Sequence, residues 1–187
     1  MKISKLTILS LIMVFIFSCK SKYDLSASDI EYIIKEVDEM YERDQGIRKK
    51  LLELDISYGV DQKTYGSFLS TRGKKELLKE EYVSYKSKSD SIWNAMPPID
   101  EVNTNKLITL TKQYGFPSKE RLGVYKAKAY FIFVHSAREY FDEIRTLIDK
   151  EYKAKRISEY EKAYIFWHLD GRNGMMPSVN EDGSVNY

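Results

Sequence analysis

Apolar residues recur along this chain at three- and four-residue intervals, the spacing of one helix face, and no stretch shows convincing two-residue alternation. The first stripe runs Ile30, Ile33, Ile34, Val37, Met40, Tyr41, Ile47, Leu51 and Leu54, and predicts a helix over about residues 28–54 with Ser28 as its N-cap. Gly59 and Gly66 punctuate the loop that follows. A second stripe, Leu78, Tyr82, Tyr85, Ile92 and Met96 with Trp93 beside it, predicts a helix over about 74–96. Pro97-Pro98 is expected to end it, because proline lacks the amide donor and clashes with the preceding turn.

Asn103 is placed to cap a short helix through Leu107, Leu110, Thr111 and Tyr114. Gly115 suits the left-handed position past a helix end, and Pro117 prevents resumption. The longest predicted helix covers about 119–152, with Ala127, Tyr130, Val134, Ala137, Phe141, Ile144 and Ile148 toward the core. Ser158-Glu159-Tyr160-Glu161 has capping-box spacing and opens a fifth helix with the stripe Tyr160, Ala163, Tyr164 and Trp167. The expected fold is all-α: one compact bundle of about five helices over residues 28–172, followed by an irregular tail over 173–187. Short links favour antiparallel neighbours.

The N-terminus departs from this pattern. Two lysines in Met1 to Lys5 precede an apolar run, Leu6 to Phe17, broken only by Thr7 and Ser10. A charged start, a short apolar segment and a small residue at its close make a secretory signal peptide over residues 1–18. As a helix the run would cover roughly 18 Å, against a bilayer core of about 30 Å, so a spanning helix fits less well. Ile16-Phe17-Ser18-Cys19 resembles the lipobox of bacterial lipoproteins. The resemblance implies cleavage before Cys19, diacylation of its sulfur and acylation of the new N-terminus, with residues 19–27 as lipidated cysteine and tether. Two or more acyl chains give stable anchoring. The expected location is the bacterial cell envelope, facing the periplasm.

Composition narrows the chemistry. The chain has 30 basic and 28 acidic side chains, and loss of Lys2 and Lys5 with the signal peptide leaves the two signs equal. A neutral domain is a poor binder of nucleic acid, which requires phosphate neutralisation. Cys19 is the single cysteine, which rules out an intrachain disulfide, thiolate catalysis and cysteine-ligated zinc in the folded domain. No phosphate loop, serine-nucleophile elbow, zinc-protease or calcium-loop pattern occurs. No cofactor or metal is expected; two histidines with carboxylates can bind zinc, but their spacing does not favour it.

Polar residues on apolar faces carry what chemistry there is. Asp44 lies in the first stripe with Arg48 one turn on, either a structural pair or part of a buried polar site with Gln45. His135 shares a band with Phe131, Arg138 and Asp142 at a core boundary, as packing or as an acid, base or ligand. A helix continuing through Asp170 would point His168 and Asp170 to different sides. If Gly171 ends it instead, His168 and Arg172 are placed to meet its last carbonyls. Tyr82 and Tyr85, which could form a stacking platform, share the second helix's apolar face and read as core.

Asp44-Gln45 with Arg48, then Tyr114-Gly115-Phe116-Pro117, then Phe131-Ile132-Phe133-Val134-His135 follow one another in an order that resembles the bacterial domain-of-unknown-function family 6624. Leu122-Gly123 resembles a glycine that the family places between the last two elements, and the similarity covers roughly residues 38–172. Where the family has Asp-Arg on its last helix, this chain has Asp170-Gly171-Arg172, and its tail lacks a Gln-x-Tyr-Gly-Thr segment. The resemblance brings no activity, but implies that Asp44, Arg48, His135 and Asp170 converge. The expected function is a membrane-anchored, non-enzymatic interaction module with a protein partner, in one version an immunity protein against a delivered toxin. The alternative is a hydrolase-like enzyme with His135 or His168 as base, Asp44 or Asp170 orienting it, and Arg48 or Arg172 holding an anion. A purely structural envelope lipoprotein is the third reading.

Overall fold

In the computed structural model, which describes residues 24–59, 79–122 and 128–187, the cap of the first helix lies two residues earlier than expected, and the helix runs three residues past the expected end. Ser26, not Ser28, is the N-cap of α1 (Ala27–Ser57). Its hydroxyl accepts from the Asp29 amide at 3.2 Å while the Asp29 carboxylate accepts from the Ser26 amide at 2.9 Å, a reciprocal box that satisfies two otherwise orphan donors. The buried positions of α1 are Ile33, Val37, Met40, Asp44, Ile47, Leu51 and Asp55, a seam with two carboxylates in it.

The prolines do not end the second helix. It continues as α2 (Lys79–Tyr114) with Pro97 and Pro98 inside it. Both prolines are exposed, as are Trp93 and Asn94 one turn earlier, so the carbonyls that lose donors lie where water can reach. Packing outweighs the lost bonds: Met96 and Ile99 join Ile47, Leu51 and Ile92 in one hydrophobic cluster, and Leu107, Ile108 and Leu110 belong to the main core. Asn103 is therefore no cap. It is buried, donating from Nδ2 to the Met40 carbonyl at 3.0 Å and accepting from Arg43 Nε at 3.2 Å.

The expected long helix over 119–152 is instead α3 (Lys119–Leu122), α4 (Ala129–Val134), a 3₁₀ turn (Arg138–Tyr140) and α5 (Phe141–Lys153). The band linking His135 to Arg138 and Asp142 consequently does not exist. Extended backbone at Ala137 (φ −71°, ψ 155°) breaks the helix. Tertiary bonds of His135 to Asp44 and of Ser136 to Thr104 hold the corner just before it. The main core gathers Ile33, Val37 and Met40 of α1 with Phe116, Ile132, Phe133, Ile144, Ile148 and Ile165.

Gly115 adopts φ 82°, and a β-carbon there would lie 2.7 Å from Arg121 Nη1 and 3.0 Å from Glu151 Oε2. That close approach lets the fully buried Glu151 accept from the Phe116 amide at 2.9 Å. Arg156 completes the clasp, donating from Nε at 2.6 Å and Nη2 at 2.8 Å. Ser158 and Glu161 form the expected capping box of α6 (Glu159–Leu169), which ends with Gly171 at φ 75° and Arg172 at φ 62°. The tail is not wholly irregular: β1 (Ser178–Val179) and β2 (Val185–Asn186) pair antiparallel, with Val179 opposite Val185. No helix among the described residues is long and apolar enough to cross a membrane. The signal peptide, Cys19, Gly66, Leu78, Gly123 and Ala127 lie outside the described residues.

Candidate functional site

The two halves of the polar pattern in the sequence meet at Asp44. Its side chain is only 1% exposed, since the α1 seam turns it toward α2 and the corner after α4. A buried carboxylate is costly unless it is paired and hydrogen-bonded, and Asp44 has three donors. His135 Nδ1 and Arg48 Nη1 each lie 2.8 Å from Oδ1, and Gln45 Nε2 lies 2.6 Å from Oδ2. Arg48 Nη1 also reaches the Asp44 carbonyl at 3.0 Å. Because the carboxylate can only accept, Nδ1 of His135 carries the proton. Nε2 has no hydrogen-bond partner among the described residues, and the side chain is 21% exposed.

Asp100, absent from the sequence reading, closes the arrangement from α2. Arg48 Nη2 donates to both of its oxygens, at 3.1 and 3.0 Å. Burial pushes the Asp100 carboxyl above its ordinary range even though the Arg48 guanidinium pulls the other way. Next to it, Thr104 and Ser136 share a buried hydroxyl–hydroxyl bond of 2.9 Å, and Ser136 also reaches the Ile132 carbonyl. Three chain segments distant in sequence are thus joined by charge-assisted bonds in which the guanidinium is engaged by two carboxylates.

Asp170 does not join them. It is the C-terminal cap residue of α6, 59% exposed at its side chain, and pairs with Arg145 of α5 at 2.7 Å. Arg172 lies past the helix end, where its amide donates to the Trp167 carbonyl at 2.8 Å. His168 Nδ1 lies 3.0 Å from the Tyr164 carbonyl inside α6, whereas the carbonyls at the helix end are met by the amides of Asp170, Gly171 and Arg172. Burial pushes the His168 imidazole below its ordinary value, and the nearby charges of Arg172 and His135 act in the same direction.

The α6 surface carries a second feature. Its buried residues are Glu161, Ala163, Ile165 and Leu169, so Tyr160, Tyr164 and Trp167 are not the core stripe the sequence suggested, but lie half-buried beside it. They continue onto α4 and α1. Tyr164 meets Tyr130 edge-on at 5.3 Å, Tyr130 stacks on Phe131 at 4.2 Å, and Phe131 lies 5.8 Å from Tyr41. At the other end, His168 packs 4.5 Å from Tyr164 and 4.9 Å from Trp167. Desolvation pushes the Tyr130 hydroxyl up to about 12.

Fold and site together define an all-α domain with a buried aspartate–histidine–arginine clasp and an adjoining aromatic face. No family model, curated protein or solved structure matches the chain. Among the described residues, no group of three or more His, Cys, Asp or Glu side chains is arranged to hold a metal ion.

Proposed function

We propose that this protein is a lipid-anchored binding module of the bacterial envelope, with the aromatic face of α4 and α6 as its docking surface. The observation that carries the reading is the continuous row Tyr41, Phe131, Tyr130, Tyr164 and Trp167, every ring half-buried. Tyr and Trp present large, stiff apolar area with a polar tip, and they dominate the energetic centres of protein interfaces. The lipobox-like segment ending at Cys19 supports the anchor, and the order of Asp44-Gln45, Arg48, Tyr114-Gly115 and His135 supports kinship with family 6624. An immunity-type partner, a toxin neutralised by one-to-one capture, is the specific version.

A photo-crosslinking residue at Trp167, compared with one at Lys153, tests the surface in envelope preparations. A discrete crosslinked species from position 167 alone is expected; equal labelling from both positions, or from neither, counts against it. Cys19→Ala should abolish incorporation of labelled acyl chain, and undiminished labelling would refute the anchor.

One observation favours a second reading. The Asp44 carboxylate fixes His135 through Nδ1 and leaves Nε2 open, the arrangement of a general base. Arg48, engaged by Asp44 and Asp100, does not fit the anion-binding role in that scheme. Hydrolysis of simple esters or phosphoesters that is lost in His135→Gln and kept in Trp167→Ala would establish the enzyme reading over the binding one.

A further inference from the structure

A cavity of about 850 Å³ opens at one end of the aromatic row. Tyr41, Tyr130, Phe131 and Tyr160 supply ring walls, the C-terminal hairpin closes one side with Val179 and Val185, and Glu161 lines the cavity from the first turn of α6. Glu161 is 3% exposed, and only one of its oxygens is satisfied. Oε2 accepts from the Ser158 amide at 3.2 Å and the Ser158 hydroxyl at 2.8 Å. Oε1 is buried with no hydrogen-bond partner among the described residues. Leaving such an acceptor unmet is destabilising, and more so when it is charged.

The surroundings specify what would meet it. Glu42, Glu120 and Glu159 line the same cavity with Lys119 and Lys128. The Lys128 ammonium is already held by Asp38 at 2.7 Å and lies 5.2 Å from the centre of the Tyr41 ring. Burial, with the Glu120 charge adding to it, pushes the Glu161 carboxyl up; the two Ser158 bonds and the Lys119 charge pull the other way without offsetting it. An anion would meet carboxylates. A neutral hydroxyl would give Oε1 a donor but leave the charge uncompensated.

We propose that this cavity binds a primary ammonium group on an organic stem, with Glu161 Oε1 accepting an N–H and the Tyr130 and Tyr160 rings flanking the cation. A charge-assisted bond supplies the missing partner, and the ring faces attract the same charge. A lysine side chain and an amino sugar both present this chemistry. The site needs no macromolecular partner, so it stands or falls separately from the docking surface.

The test is an NMR titration of the tyrosine-labelled protein with 1,5-diaminopentane, its neutral isostere 1,5-pentanediol, Nα-acetyl-lysine methylamide and glucosamine. Saturable shifts of the Tyr130 and Tyr160 ring signals are expected with the diamine and absent with the diol. Glu161→Gln, which keeps a capping-box residue at that position, should weaken diamine binding about tenfold with the melting temperature retained. Tyr160→Leu should weaken it several-fold and serves independently should Glu161→Gln fold poorly. Tighter binding of the lysine derivative assigns a peptide source, tighter binding of glucosamine a saccharide source, and either supports the site. Equal shifts with the diol, no saturable shift with any amine, or undiminished affinity in a folded Glu161→Gln or Tyr160→Leu variant would overturn it.

Discussion

Glu151 at the end of α5 and Glu161 at the start of α6 are both buried glutamates, 0% and 3% exposed, yet their carboxyls are displaced in opposite directions. Burial pushes each of them up. For Glu151 the Arg156 guanidinium and the Phe116 amide outweigh it and hold the carboxyl below its ordinary value. For Glu161 the two Ser158 bonds fall short, and the carboxyl stays above it. Both side chains are closed to solvent, but Glu161 is set more deeply among its neighbours and has the smaller supply of donors. A carboxylate whose oxygens are fully met is a fastening, whereas one with an idle oxygen beside a cavity has capacity left for something else.

Removing the fastening should have the largest effect. Glu151→Ala removes the acceptor of the Phe116 amide and of two Arg156 bonds and should cost about 3–5 kcal/mol in urea unfolding. Asp44→Ala should cost less, about 2–3 kcal/mol, because Arg48 keeps Asp100 while His135 and Gln45 lose their acceptor.

The pH dependence should separate the two glutamates by sign. Glu151 is depressed in the folded state, so its stabilisation is present above the unfolded carboxylate range and is lost as pH falls through the lower folded value. Glu161 is raised, so its contribution is present below that range and is lost as pH rises through the higher folded value. Glu161→Gln should therefore shift stability by no more than about 1 kcal/mol and flatten the stability profile just above the ordinary carboxylate range. The opposite slope change would reverse the comparison. Smallest of all is Asp170→Ala, which removes an exposed pair with Arg145 and should change stability by less than about 1 kcal/mol.

Much of this was legible in the chain, and the misreadings have physical reasons. The α1 stripe included Asp44 because a seam position is set by spacing alone, and the α6 cap was legible because Ser158 and Glu161 carry it locally. Pro97-Pro98 misled because a local rule was weighed above a longer pattern. Tyr85, Ser89, Ile92, Met96, Ile99, Asn103, Leu107 and Leu110 continue at three- and four-residue steps straight through the prolines. That continuity was the signal that would have placed Asp100 and Asn103 on one helix with Met96. The meeting of His135 with Asp44 was suggested only by a family resemblance, since no spacing reveals partners so far apart in sequence. Asp170 shows the limit of such transfer: once Gly171 ends the helix, the carboxylate falls to the α5 side, where Arg145 waits. The half-buried state of Tyr160, Tyr164 and Trp167 was hidden because Ile165 and Leu169, on another face of the same turns, took the core.

The separation of the hydrophobic interior into two clusters has a consequence for how the molecule opens. Ile47, Leu51 and Met96 form a small cluster between the second half of α1 and the middle of α2, apart from the main core built on Ile33, Met40, Phe133 and Ile148. Proteins exchange amide hydrogens through cooperative units whose opening energies follow local burial. The α2 segment before the prolines, together with the last turns of α1 held by the Tyr85–Asp55 bond, should exchange through an opening of its own, well below the global unfolding free energy. The amides of Leu107 to Leu110 and Ile144 to Ile148 should exchange only with complete unfolding. Protection in α2 would then change sharply near Pro98, so that one continuous helix belongs to two units in time.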